Sequence, residues 1–103
     1  MSAANVHRGE ASLVVAGETL VLRPSFAALV AAEGELGPLF GLVERASEGR
    51  LALAEIAALF DHLAAERPAQ ITRAMIGDAV VESGLVAVSP VLRLVLGQIL
   101  QGR

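Results

Sequence analysis

Proline and glycine cut this chain into short pieces, and that punctuation limits what it can build. Pro24-Ser25, Gly37-Pro38, Gly49, Arg67-Pro68, Ser83-Gly84 and Ser89-Pro90 separate its apolar stretches. Each break removes a backbone donor or favours a turn, so the elements between them must be short. Ahead of the first break, Ala11-Ser12-Leu13-Val14-Val15 and Thr19-Leu20-Val21-Leu22-Arg23 flank Ala16-Gly17-Glu18, which predicts a β-hairpin. If Ala16-Gly17 is a two-residue loop, parity sets the register. Val15 then faces Glu18, Leu13 faces Leu20 and Ala11 faces Leu22. Leu13, Val15, Leu20 and Leu22 share one face, with Ser12, Thr19, Arg23, Val14 and Val21 on the other.

Helical spacing dominates the rest. Ser25 reads as the N-cap of a first helix with Phe26, Leu29 and Val30 as its apolar stripe, ended by Gly34 and Gly37. Pro38 suits the first residue of a second helix reaching about Glu48, with Leu39, Leu42, Val43 and Ala46 inward and Gly49 as C-cap. A third helix over 53–66 carries Ile56, Leu59, Phe60 and Leu63, and Arg67-Pro68 stops it. A fourth over 72–82 turns Met75, Ile76, Ala79 and Val80 inward. Ser89-Pro90 reads as N-cap and first residue of a fifth helix, with Leu92, Val95, Leu96, Ile99 and Leu100 on one side. The expected fold is α+β and predominantly helical: a hairpin followed by four or five short helices, one domain over 10–103, behind a flexible tail at 1–9.

Of the 103 residues, 54% are apolar, including 16 Leu and 12 Val. That exceeds the roughly 45–50%, glycine included, of ordinary soluble domains. A small domain cannot hide so much aliphatic surface, which points to a contact face for a partner or for self-association. There is no cysteine, which excludes disulfides, thiol catalysis and cysteine-bound zinc and fits a reducing compartment. The net charge is −3, all eight basic residues are scattered arginines, and Trp and Tyr are absent. Nucleic-acid binding has neither a basic patch nor a stacking platform to rest on. The stretch 85–100 is too short and too interrupted to span a bilayer, and 1–12 is too polar for a signal peptide.

No catalytic constellation emerges. His7 falls in the tail. His62 shares a helical face with Glu55 and Glu66 but has no second histidine one turn away, so a surface-boundary role is expected over metal binding. Glu33 and Glu35 read as solvated residues at a helix end. Arg45 to Glu48 is expected to offset the Glu44–Glu48 repulsion. No cofactor is expected.

The order of His7-Arg8-Gly9-Glu10, a hairpin with a glycine turn, a helix directly after the second strand, Gly49-Arg50-Leu51 and Ser83-Gly84-Leu85 before an apolar last helix resembles a family of small tail proteins. They are encoded in gene transfer agents and siphophage-like prophages, and are labelled both tail tube protein and tail assembly chaperone. The resemblance implies a cytoplasmic, non-enzymatic chaperone that coats the apolar tape measure protein, recruits the tail tube protein and self-associates, without nucleic acid or membrane. It maps no catalytic motif. The partner-binding residues it suggests are Leu92, Val95, Leu96, Ile99 and Leu100, although an amphipathic helix ordinarily turns such a stripe to its own core. Alternatives are a tube or terminator subunit in the tail of a virion-like particle, or an adaptor unrelated to phage.

Overall fold

The computed structural model describes residues 10–102; the tail expected at 1–9 and Arg103 lie outside the described residues. The hairpin forms in the register that parity requires. Strands β1 (Ala11–Val15) and β2 (Glu18–Leu22) pair antiparallel with Val15 facing Glu18, Leu13 facing Leu20 and Ala11 facing Leu22. Ala16 and Gly17 both take positive φ, 51° and 80°, the mirror-image turn whose twist matches the flanking strands. Ala11, Leu13, Val15, Leu20 and Leu22 are buried against the helices.

Five helices follow: α1 (Phe26–Leu36), α2 (Leu39–Ser47), α3 (Leu53–Leu63), α4 (Arg73–Ser83) and α5 (Leu85–Gln101). Their ends have identifiable causes. Ser25 Oγ accepts from the Ala28 N–H and opens α1. Helix α1 runs through Gly34 and ends at Gly37. Pro38 precedes α2 with an extended ψ of 137°, so it sits one position earlier than the sequence suggested. Its place leaves the Leu39 N–H open, and Glu33 Oε2 takes that bond at 3.0 Å. Glu55 reaches back to the Ala52 N–H at the start of α3, the half of a capping box that an alanine cap permits.

Two helix ends differ from expectation. Helix α3 stops at Leu63, short of Glu66, because Arg67 folds back over its end. The Arg67 guanidinium donates to the carbonyls of Asp61 at 2.8 Å and Ala64 at 3.0 Å, and Nε to Ile71 at 2.9 Å. Carbonyls that a further turn would have satisfied are met by this side chain instead. Helix α5 begins at Leu85, not at Pro90. Gly84, with φ of 87°, turns the chain through 118° between α4 and α5 and leaves no linker. Pro90 therefore lies inside α5, where it cannot supply the usual amide to the carbonyl one turn back. Ser89 Oγ donates to the Leu85 carbonyl beside it.

Helix α3 forms the centre of the core. Leu59, Phe60 and Leu63 are fully buried among Leu22, Leu42, Ile76, Val80 and Val95. Small residues let the helices approach closely. A Cβ added at Gly77 of α4 would stand 3.6 Å from the Ala57 Cβ of α3. On α1 the buried residues are Ala28 and Ala32, with Leu29 and Leu36 partly covered. The expected Phe26–Leu29–Val30 stripe is thus a correction: Phe26 and Val30 face out. Helix α1 is apolar around most of its circumference, and the alanine face gives the closer approach to α3.

Candidate protein-binding surface

The last turns of α5 carry the stripe singled out from the sequence, and the structure divides it. Val95 and Leu96 belong to the core, Leu92 and Ile99 are half-buried, and Leu100 is exposed. Only the outer part of the stripe can meet a partner without unfolding α5.

What the stripe loses is supplied by residues that the sequence reading placed inside or did not assign. Phe26 on α1 is 84% exposed and Phe40 on α2 is 82% exposed. Val30 is exposed one turn after Phe26. Phe26 and Phe40 border the end of α5. One cleft, of mixed character, is lined by Pro24, Phe26, Leu29 and Ile99 together with Glu10, Arg23, Ser25 and Gln98. A second is lined by Leu39, Phe40, Val43, Ile99 and Leu100, with Glu33 at its edge. A third, along the α2–α5 seam, is lined by Val43, Leu92, Leu96 and Leu100. Ile99 is shared by the first and second clefts and Leu100 by the second and third, so the end of α5 adjoins all three. The second cleft encloses about 200 Å³. Small-molecule sites run to roughly 300–1,000 Å³, so it suits a protein side chain better than a free ligand. Leaving a phenylalanine in water forgoes about 2 kcal/mol of burial, which a partner covering either ring would recover.

A charged cluster fixes which face of α1 looks outward. Glu35, near the end of α1, accepts from Arg73 of α4 through Nη1 at 2.5 Å and Nη2 at 2.8 Å, and from His62 Nε2 of α3 at 2.8 Å. Arg73 also donates to Asp61 Oδ2, through Nε at 3.0 Å and Nη2 at 2.9 Å, while Arg67 donates to Asp61 Oδ1. Hydrogen bonds from Arg73 and then His62 lower the Glu35 pKa to about 2, and Glu35 and then Asp61 raise that of Arg73. With Glu35 tied to α3 and α4, the opposite side of α1, carrying Phe26 and Val30, faces away from the core.

The same contacts settle the candidate metal set. His62 is held by Glu35. Glu55 accepts from the Ala52 N–H and from Arg45 Nη1 at 2.5 Å, and both hold its pKa below the usual value. Glu66 lies past the end of α3 and pairs with Arg23. The three groups are not brought together, and among the described residues no cluster of three suitable side chains could hold a metal. Two surface expectations also change. Glu35 joins the interhelical cluster and is not a lone solvated end residue. Arg45 pairs with Glu55, while Glu48 pairs with Arg50.

A second exposed group, Leu53, Val81, Leu85 and Val86, lies along the α3–α4 groove and the α4–α5 turn. Its groove is lined by Leu36, Leu53, Ala57, Ala58, Gly77 and Val81, with Glu35, Glu55, Arg73 and Asp78 among the other lining residues. This groove is a second, predominantly apolar face, built from aliphatic side chains without an aromatic ring.

A small helical domain that holds two aromatic rings in water beside an aliphatic helix end is built to meet other proteins. The chain belongs to the family described as phage tail tube protein, GTA-gp10, whose model matches residues 8–102. It is therefore a member of a gene transfer agent and phage tail family, structural and not catalytic in character. No curated protein and no solved structure matches the chain. Among the described residues no single helix is long and apolar enough to cross a membrane.

Proposed function

We propose that this chain is a tail assembly chaperone, which covers apolar segments of the tape measure protein and gives them up as tail tube protein arrives. The observation that carries this reading is the pair of outward phenylalanines, Phe26 and Phe40, next to Ile99 and Leu100. A permanent subunit interface and a chaperone surface both present apolar area. Here the area is broken into shallow clefts by aliphatic side chains, which suits a varied series of apolar helical segments. Of the residues first suggested for contact, Leu92, Ile99 and Leu100 remain in this role, and Val95 and Leu96 support them from within.

Co-expression with the tape measure protein tests the mechanism. The chaperone keeps that protein soluble, co-purifies with it, and is absent or present only in traces in finished particles by mass spectrometry. A tape measure protein that stays insoluble and unbound overturns the reading. The family description favours a second reading, a subunit of the tail tube itself. Stoichiometric presence of the chain in mature particles would establish that alternative.

A further inference from the structure

Helix α5 carries a second helix start within itself. Serine followed by proline suits an N-cap, with the proline at the first helical position. Ser89 and Pro90 instead lie a full turn into the helix, and both conflict with that place. A residue before proline is pushed from helical toward extended backbone. Pro90 has no N–H for the Val86 carbonyl, and its ring crowds that carbonyl. Ser89 Oγ donates back to the Leu85 carbonyl at 2.7 Å, a side-chain bond that bends and slightly weakens helices. The turn ahead of them is weakly held. It starts on Gly84, which has φ of 87° and no side chain to cap the first amides. The Val88 N–H donates to the Gly84 carbonyl at 3.1 Å. Of residues 85–90 Val88 alone is buried, while Leu85 is 57% and Val86 89% exposed. The strong packing begins past Pro90, with Val95 and Leu96 in the core.

We infer that α5 has two starts in solution, the major one at Leu85 and a minor one at Ser89-Pro90, and that residues 85–88 are a hinge between α4 and α5. In the minor form residues 85–88 unwind and Ser89 becomes extended. Its Oγ stops donating to the Leu85 carbonyl and accepts from the Leu92 N–H as an N-cap. Pro90 takes the first helical position, where a missing N–H leaves no bond unmade. Loss of the Val88 burial and of one turn of backbone bonds keeps this form minor. Four residues that span about 6 Å as helix reach about 13 Å when extended. Helices α4 and α5, joined through Gly84 alone, thereby gain slack, while Val95 and Leu96 keep α5 on the core. The use of that slack, to move Ile99 and Leu100 against a tail partner, rests on the contact surface proposed above. The hinge itself does not, and its test uses this chain alone.

Residue-resolved amide hydrogen exchange on the full chain reads the hinge, with circular dichroism to check that each variant stays folded. In the unmodified chain the Val88 and Ser89 amides exchange at least about tenfold faster than those of Val95 and Leu96, although one helix carries all four. Three variants separate a second start from simple fraying of the helix end. Ser89→Asp keeps a strong N-cap but cannot donate to the Leu85 carbonyl, so Val88 exchanges about threefold faster or more. Ser89→Ala offers no cap and favours continuous helix, so Val88 exchanges more slowly. Pro90→Ala restores the missing N–H and slows exchange at Val88 by about tenfold or more. Equal protection at Val88 and Val95 in the unmodified chain overturns the inference. So does a Ser89→Asp variant that slows exchange as Ser89→Ala does, or a Pro90→Ala variant that leaves Val88 unchanged.

Discussion

The chain contains three phenylalanines, and the fold places them in opposite environments. Phe60 is fully buried in α3, whereas Phe26 and Phe40 are more than four-fifths exposed. One substitution, phenylalanine to alanine, therefore gives two different outcomes. At Phe60 it removes a ring from a packed core and leaves a cavity, which costs about 3–5 kcal/mol. A domain of this size has about 5–15 kcal/mol of stability in all, and each kcal/mol moves Tm by about 4–8 °C. Phe60→Ala should thus lower Tm by about 15 °C or more, or leave the chain unfolded. At Phe26 and Phe40 the ring contacts little within the chain, so each alanine changes stability by less than about 0.5 kcal/mol. Urea titrations followed by circular dichroism, at low protein concentration, give the three values directly. A loss above about 2 kcal/mol in Phe26→Ala or Phe40→Ala would mean that the ring packs in a core in solution. The surface proposed for tail partners would then not exist.

Three further outcomes follow from the same contacts. The Glu35 pKa is depressed in the fold, from 4.5 to about 2, so its stabilising effect is present above about pH 4.5 and is lost as pH falls toward 2; Glu35→Gln should flatten the drop in urea midpoint across that window. Ala16 adopts φ of 51°, which asparagine accepts more readily than alanine, so Ala16→Asn should raise stability by about 0.5–1 kcal/mol in a thermal melt. Gly77→Ala adds a methyl at ordinary contact distance from Ala57 and should stabilise α4 by up to about 1 kcal/mol. Gly77→Leu should force α3 and α4 apart and destabilise by about 1–3 kcal/mol by the same assay.

How much of this was legible depended on how local the determining physics was. The hairpin register follows from the parity of a two-residue loop, and the cap at Ser25 is read from neighbouring residues, whereas Thr72, expected inside α4, caps it from one position before. The start of α5 was misread for a local reason as well. Ser89-Pro90 imitates a helix start, but Gly84 had already turned the chain and Leu85 to Val88 had begun the helix. The early end of α3 depends on where the Arg67 guanidinium folds, which residue type alone does not specify. The outward face of α1 was least legible. Phe26-Leu29-Val30 and Ala28-Ala32 both have helical spacing, and the choice between them is made by α3 and by the bond from Glu35 to Arg73, 38 residues away. The contact stripe on α5 was half legible for the same reason. Periodicity marked the helix as two-sided, but only the packed domain decides that Val95 and Leu96 turn in while Leu100 turns out.

The central claim is that the surface around Phe26, Phe40 and Leu100 is where a tail partner binds. It is tested most directly by the affinity of the tape measure protein for the unmodified chain and for the Phe26→Ser/Phe40→Ser double variant, with Tm measured on both. An unchanged Tm and affinity weakened by at least about tenfold are expected, since each exposed aromatic anchor is worth about 1 kcal/mol or more at an interface. Equal affinity in the two proteins would contradict it.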